Sequence, residues 1–107
     1  MKLEFAAAVS LALAFTLPTA RADDAATEAA MTKAGCMACH TKDKKLVGPA
    51  FKDIAAKYKG QDMVAKLMEK VRKGGSGVWG PVPMAPNPPE KINDADLKEA
   101  VEMILKS

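Results

Sequence analysis

Apolar residues recur at helical spacing in four stretches of the chain, which predicts four helices. The first helix runs from about Ala25 to Ala34, with Asp24 as its N-cap and Gly35 as its stop. The second helix follows the break at Gly48-Pro49 and closes at Gly60. Its apolar positions are Phe51, Ile54, Ala55 and Tyr58.

The third and fourth predicted helices lie in the C-terminal half of the chain. Asp62 can cap the third helix, which ends at Gly74-Gly75. Its apolar stripe consists of Val64, Leu67, Met68 and Val71. Either Asn93 or Asp94 caps the fourth helix, and Asp96 lies in its first turn. Its apolar face consists of Leu97, Ala100, Val101, Ile104 and Leu105.

Residues 74–90 connect these two helices and cannot themselves be helical, because they contain nine glycines and prolines. A long connection of this kind is uncommon in a small domain unless it serves a function. No run in the chain alternates apolar and polar residues clearly enough to predict a strand. The fold class is therefore predicted to be all-α.

Residues 1–22 have the pattern of a secretory signal peptide that is cleaved. Lys2 supplies a basic start, Phe5 to Leu17 is an apolar stretch, and Ala20-Arg21-Ala22 places small residues before a cut at Asp23. Thirteen residues are too few for a membrane anchor, because a helix that spans a bilayer needs ~20. We therefore predict a single exported, periplasmic domain over residues 23–107 that does not span a membrane.

The predicted domain has little material for a hydrophobic core. The 107-residue chain has 16 basic and 13 acidic residues, and removal of residues 1–22 leaves 85 residues with a net charge of +2. This small excess of positive charge argues against nucleic acid as a partner. The aromatic residues of the domain are only Phe51, Tyr58 and Trp79. Domains of this size commonly need a disulfide, a metal or another staple.

The segment Cys36-Met37-Ala38-Cys39-His40 has the C-x-x-C-H pattern of c-type haem attachment. Two thiols three residues apart lie on one side of a helical turn, so both can form thioethers with the vinyl groups of one porphyrin. The adjacent histidine can then reach the iron. The pattern predicts one haem c, bound covalently through Cys36 and Cys39, with His40 as an axial ligand of the iron.

Other functions of this cysteine pair fit less well. A disulfide is the default for two cysteines in an exported protein, but it would leave the adjacent histidine unexplained. A structural zinc site needs four ligands, and the chain offers two cysteines and one histidine. A thioredoxin-like redox pair needs a strand before the motif and a β-α-β arrangement around it, and the sequence predicts neither.

The chain has a single histidine, so the other axial ligand cannot be a second one, and methionine is the remaining common ligand. Five of the six methionines after residue 22 lie on apolar helix faces, between the cysteines or beside a helix start: Met31, Met37, Met63, Met68 and Met103. The sixth, Met84, lies in a loop that Pro81, Pro83 and Pro86 make rigid. We predict that Met84 is the second axial ligand rather than a packing residue.

Taken together, the motifs resemble those of the small bacterial class I cytochromes c of the c-551/c-552 (cytochrome c8) type. They are Gly35-Cys-x-x-Cys-His40, Val47-Gly48-Pro49-Ala50, Gly77-Val78-Trp79-Gly80 and Pro83-Met84. The resemblance covers essentially all of residues 24–106. It implies a small class I cytochrome c fold, in which about four helices pack around one covalently bound haem.

The resemblance also implies roles for residues around the haem. Pro49 matches the proline whose carbonyl accepts a hydrogen bond from the axial histidine. Trp79 matches the indole that donates to a haem propionate, and Asn87 matches the asparagine whose amide points at the methionine sulfur. Lys70 falls where relatives carry a basic residue near a propionate, although a solvated helix lysine is an equally good interpretation.

The chain departs from the pattern of these relatives at three places. Ala85 replaces the usual proline after the methionine ligand, and Pro88-Pro89-Glu90-Lys91 makes the following loop longer. Met31 and Met103 stand where relatives often place an aromatic pair between the first and last helices. The loop is therefore expected to hold Met84 somewhat differently, and the contact between the helices is expected to be kept but softened.

A haem with both axial positions filled by the protein has no open site for oxygen or peroxide, so the predicted function is one-electron transfer rather than enzyme catalysis. The alternative is a labile Met84 that exposes the iron for peroxide or nitric oxide chemistry or sensing. The resemblance suggests a monomer that receives electrons from a donor such as a cytochrome bc1 complex and passes them to a nitrite reductase or a terminal oxidase. Eight lysines are either steering charges for such partners or ordinary solvated side chains: Lys42, Lys44, Lys45, Lys52, Lys57, Lys59, Lys73 and Lys91.

Overall fold

The computed structural model describes residues 20–107, together with Ser10 and Ala12. The predicted signal peptide therefore lies almost entirely outside the described residues. The elements follow the order α1 (Ala20–Ala34), a short 3-10 helix (Cys36–Ala38), α2 (Phe51–Lys57), α3 (Val64–Lys73), β1 (Gly75–Gly77), β2 (Gly80–Met84) and α4 (Asp94–Leu105). The four predicted helices are all present. Within the described part of the chain, none of them is long and apolar enough to cross a membrane.

Two of the predicted helix caps are wrong. Helix α1 begins at Ala20, so Asp24 lies inside the helix, because the alanine-rich sequence before it continues the helix toward the N-terminus. At α3 the N-cap position is Met63, and no side chain caps this helix end. Asp62 is one residue too early, because the backbone of Met63 is already near the helical region at φ −114° and ψ 0°.

The start of α4 agrees with the sequence and settles the choice between two caps. Asn93 is the N-cap, and its side-chain oxygen accepts a hydrogen bond from the backbone N–H of Asp96 at 2.8 Å. Asp94 is the first helical residue. Both aspartates lie in the first turn, where negative charge interacts favourably with the helix dipole.

A two-stranded antiparallel sheet is the element that the sequence did not predict. Strands β1 and β2 pair Gly75 with Met84 and Gly77 with Gly80, with an irregular register between the two pairs. The strands escaped prediction because β1 is Gly-Ser-Gly and β2 contains Pro81 and Pro83, so neither shows apolar alternation. The fold is thus mostly helical, as predicted, with a small sheet added.

Helix α4 is the centre of the core, because α1, α2 and α3 all pack against it. The buried cluster comprises Met31, Ala34, Phe51, Ile92, Leu97, Ala100 and Val101. Met31 is buried as predicted, and Met68 and Met103 pack against the cluster. The buried Thr27 of α1 donates a hydrogen bond to a carboxylate oxygen of Glu99 on α4 at 3.2 Å. This contact fixes the helix that leads into the cysteines relative to the core.

Candidate haem-binding site

A left-handed glycine turns the chain from α1 into the cysteine segment. Gly35 has φ 90°, and a side chain there would meet nothing within 4 Å, so the requirement for glycine comes from the backbone alone. The next residues form one turn, in which the backbone N–H groups of Cys39 and His40 both bond to the carbonyl of Cys36 at 3.2 and 3.1 Å. This turn holds the two thiols and the imidazole in one short, fixed segment.

Both cysteines are free thiols. Cys39 is exposed, whereas Cys36 is half-buried, and burial raises the pKa of its thiol. Cys36 and Met37 pack against the core cluster. The pair is therefore open to solvent on one side and supported by the helices on the other, which is a suitable arrangement for covalent attachment of an external group.

The ring of His40 is held in one orientation by three neighbours. Its Nδ1 is 2.8 Å from the carbonyl oxygen of Pro49. A Cβ on Gly48 would lie 2.9 Å from Nδ1 and 3.0 Å from Nε2, so the imidazole packs directly on the glycine backbone. The ring of Phe51 stacks on it, with a centroid distance of 5.4 Å and an interplanar angle of 22°. Because a carbonyl only accepts, Nδ1 carries the proton and Nε2 has a free lone pair.

Met84 ends β2, and the chain after it lies against the end of α3. Gly74, which follows α3, has φ 68°, and a Cβ there would lie 2.9 Å from both the carbonyl carbon of Ala85 and the nitrogen of Pro86, and closer still to the carbonyl oxygen of Met84. Only glycine allows this approach of two backbones. Met84 itself is half-buried, and its place relative to α3 is fixed by this contact and by the pairing with Gly75.

Asn87 is a buried polar residue whose side chain bonds to the backbone on either side of it. Its amide nitrogen donates to the carbonyls of Ala85 at 3.0 Å and Val71 at 3.3 Å. Its backbone N–H bonds to the carbonyl of Val71 as well, at 3.1 Å. Both amide hydrogens are directed at carbonyls in this structure, and the contact with the sulfur of Met84 that the resemblance implies stays a prediction.

Among the described residues, the large apolar side chains that remain exposed lie in two segments, one just before Gly48 and one around the tip of the hairpin. They are Leu46, Val47, Val78, Trp79 and Val82. A cavity between the two segments is lined by Val47, Pro49 and Trp79 and, at its charged part, by Lys45 and Asp53. An apolar surface of this kind, beside two thiols and a free imidazole nitrogen, fits a flat apolar group such as a porphyrin.

Two cationic side chains lie close to the hairpin, and a third lies in the last turn of α3 with its contacts beyond the hairpin. The ammonium of Lys57 is 5.5 Å from the ring centroid of Trp79 and 5.9 Å from that of Tyr58. The half-buried Lys70 points toward Gly75, where a Cβ would be 3.3 Å from its nitrogen. The third is Arg72, and the sequence analysis did not single it out, because a basic residue in the last turn of a helix is also explained by the helix dipole.

The eight lysines that could steer partners are all exposed. Two of them have partners within the chain: Lys42 forms an ion pair with Glu28 and Lys73 one with Glu69, both at 2.5 Å. The distribution of charge is thus compatible with lysines that steer redox partners and with lysines that are ordinary solvated side chains.

Residues 25–107 match the family model described as cytochrome c. Cytochrome c2 of Rubrivivax gelatinosus is 52% identical over 77 residues, which are 71% of this chain and 91% of that protein. Cytochrome c-552 of Hydrogenobacter thermophilus is 53% identical over 72 residues, 66% of this chain and 70% of that protein. The crystal structure of wild-type Nitrosomonas europaea cytochrome c552 is 45% identical and superposes with a TM-score of 0.67, covering 74% of this chain and 96% of that one.

The matched residues include the whole C-x-x-C-H segment, helices α2, α3 and α4, and helix α1 from residue 25 onward. Several relatives at about half identity are bacterial proteins named cytochrome c-551 or c-552. Cys36 and Cys39 have the spacing that covalent attachment of one haem c requires. The chain therefore belongs to the cytochrome c family and is a monohaem electron carrier similar to the small c-551/c-552 cytochromes.

Proposed function

We propose that this protein is a periplasmic one-electron carrier whose low-spin haem is attached through Cys36 and Cys39 and ligated by His40 and Met84. When bound, the haem supplies an iron that takes up and releases one electron. The residues of the chain hold the group, set the character of both ligands and keep other molecules away from the iron.

The hydrogen bond between His40 and Pro49 is the observation that carries this proposal. At 2.8 Å it occupies Nδ1 and leaves Nε2 as the nitrogen that can bind a metal. A carbonyl partner also makes the imidazole a more basic ligand. Gly48 and Phe51 enclose the ring on its faces, so His40 keeps this orientation in both oxidation states.

Met84 supports the proposal as the second ligand. A thioether is a soft ligand that favours ferrous iron and thus raises the reduction potential. The other candidates are engaged elsewhere: Met31 is 1% exposed in the core, and Met37, Met68 and Met103 pack against the same cluster. Met63 occupies the N-cap position of α3. We assign Trp79 as the donor to a haem propionate. We assign Asn87 as the residue whose amide points at the Met84 sulfur when the haem is bound, which requires one of its amide bonds to the carbonyls of Val71 and Ala85 to give way.

Export and partners complete the proposal. Residues 1–22 act as a signal peptide and are removed, which places the domain 23–107 in the periplasm. The domain acts there as a monomer. Nitrite reductase or a terminal oxidase are the proposed acceptors, and a cytochrome bc1 complex is a proposed donor. Encounters of electron carriers are brief, and we expect an interface of less than ~1,200 Å².

The absorption spectrum of the ferric protein tests the ligands. The proposal expects a low-spin spectrum at neutral pH with the weak near-infrared sulfur-to-iron band. Met84→Ala should abolish this band, whereas Met63→Ala, which changes a half-buried methionine at the start of α3, should retain it. A high-spin ferric spectrum of the unmodified protein would refute the proposal and favour a labile ligand and peroxide or nitric oxide chemistry.

A further inference from the structure

One side chain bridges both ends of the loop that follows Met84. One terminal nitrogen (Nη1) of Arg72 donates to the carbonyl of Asn87 at 3.1 Å and to the carbonyl of Ile92 at 2.7 Å. The other (Nη2) pairs with a carboxylate oxygen of Asp94 at 2.5 Å. The guanidinium thus connects α3, the loop and the first residue of α4.

The two ends of this loop, Asn87 and Ile92, are buried, but the residues between them have few other means of holding their shape. Its residues 88 and 89 are prolines without an N–H, and Glu90 and Lys91 are exposed. The backbone bonds within it run from Lys91 and Ile92 to the carbonyl of Pro88, at 2.9 and 3.4 Å. The side chain of Arg72 is 20% exposed, so its bonds to the loop carbonyls are partly shielded from water.

The contacts of Arg72 act on the same stretch of backbone that carries the proposed ligand. Asn87 is three residues after Met84, and its N–H and amide bond to the carbonyl of Val71, next to Arg72 in α3. The backbone from Met84 to Pro86 lies on Gly74, two residues after Arg72. If Met84 moved away from the iron, the bonds of Asn87 to Val71 and the contact of the backbone from Met84 to Pro86 with Gly74 would have to be strained.

We propose that Arg72 is a positioning residue that keeps Met84 on the iron by closing the loop 87–92 against α3. The inference rests on the proposed function, because it requires Met84 to be the ligand. It assigns to this chain a device that closes the loop at both ends: one guanidinium binds the carbonyl of Asn87, where the loop begins, and the carbonyl of Ile92, where it ends. Arg72 does not touch the ligand and acts on it through the loop.

The test measures how readily imidazole added to the ferric holoprotein displaces Met84, by spectroscopic titration. Arg72→Met removes all three bonds and should raise the affinity for imidazole about tenfold or more, which corresponds to about 1.4 kcal/mol. Arg72→Lys keeps the charge but has a single nitrogen and should raise the affinity about threefold or more. If Arg72→Met does not accumulate as holoprotein, Arg72→Lys alone decides the question. An increase in its affinity for imidazole of about threefold or more then supports the inference.

Two control variants separate this role from a change of charge and from a general loss of stability. Lys73→Met removes a neighbouring positive charge whose partner is Glu69, outside the loop, and should leave the affinity for imidazole unchanged. Met31→Ala destabilises the core at the α1 side and should also leave the affinity for imidazole unchanged.

An affinity of both Arg72 variants within about twofold of that of the parent protein would overturn the inference, as would an equal increase in Met31→Ala. The near-infrared band of the parent protein distinguishes this failure from that of the proposed function. If the band is present and is lost in Met84→Ala, the ligand assignment stands whatever Arg72 does.

Discussion

Replacement of Gly48 by alanine is predicted to disturb the axial histidine by contact alone. Gly48 does not have a positive φ, so alanine can adopt its backbone conformation without strain. The added methyl group would, however, lie 2.9 Å from Nδ1 and 3.0 Å from Nε2 of His40. The ring cannot retreat freely, because Phe51 stacks on it and Pro49 binds its Nδ1. Either the ring or the backbone of residue 48 must move.

The size of the effect follows from three contributions. Overpacking a closely packed site costs about 1–3 kcal/mol. Weakening of the bond from His40 to Pro49 adds about 1 kcal/mol. Replacing glycine by alanine lowers the conformational entropy of the unfolded chain, which stabilises the folded protein by at most about 1 kcal/mol. The free energy of unfolding of the holoprotein should therefore fall by about 1–4 kcal/mol, and the reduction potential should change as the histidine shifts.

Denaturant unfolding followed by haem absorbance, combined with a potentiometric titration, measures both quantities. Gly60→Ala is the matched control: Gly60 has φ 77° and open space around its Cα, so alanine there meets backbone strain without a contact. It should lower stability by about 1–2 kcal/mol and leave the potential unchanged. If Gly48→Ala matches the parent protein in both stability and potential, the packing argument is wrong.

Two further predictions concern a helix cap and the haem as part of the core. Asn93→Ala removes the acceptor for the N–H of Asp96 and should lower the free energy of unfolding by about 1 kcal/mol in thermal or denaturant unfolding, whereas an unchanged value would show that Asn93 contributes no cap. A Cys36→Ala/Cys39→Ala variant without haem should have lost most of its helical circular dichroism, because the domain then lacks the group on which its helices pack. Cooperative unfolding of that variant would contradict this reasoning.

Local signals in the sequence were sufficient for the helices, and the resemblance to the small cytochromes c supplied the hydrogen bond between His40 and Pro49. The apolar periodicity of α4 and the cap at Asn93 are readable because the interacting residues are three or four positions apart. The His40–Pro49 bond spans only nine residues, within one recognisable motif. The predicted cap of α3 was wrong because the backbone conformation of one residue, Met63, decides where the helix begins. The sequence does not show this conformation.

The methionine side depends on contacts that no local pattern encodes. Arg72 reaches partners 15 to 22 residues away, and its importance appears only when the loop is folded back on α3. The sequence predicts Gly74 as the end of a helix. Its close approach to the backbone at Ala85 is a tertiary contact, which the sequence does not predict. The sheet was missed because its strands are built from glycine and proline, which carry no apolar alternation.

The prolines of β2 have a consequence for how the protein behaves in a crowded compartment. A strand at the edge of a sheet, beside exposed valines such as Val78 and Val82, would ordinarily be a template for pairing with another chain. Pro81 and Pro83 have no N–H with which to extend such pairing. The free edge of β2 therefore offers fewer N–H groups for pairing with another chain, so the hairpin can expose its apolar side chains to a redox partner with less tendency to pair edge to edge.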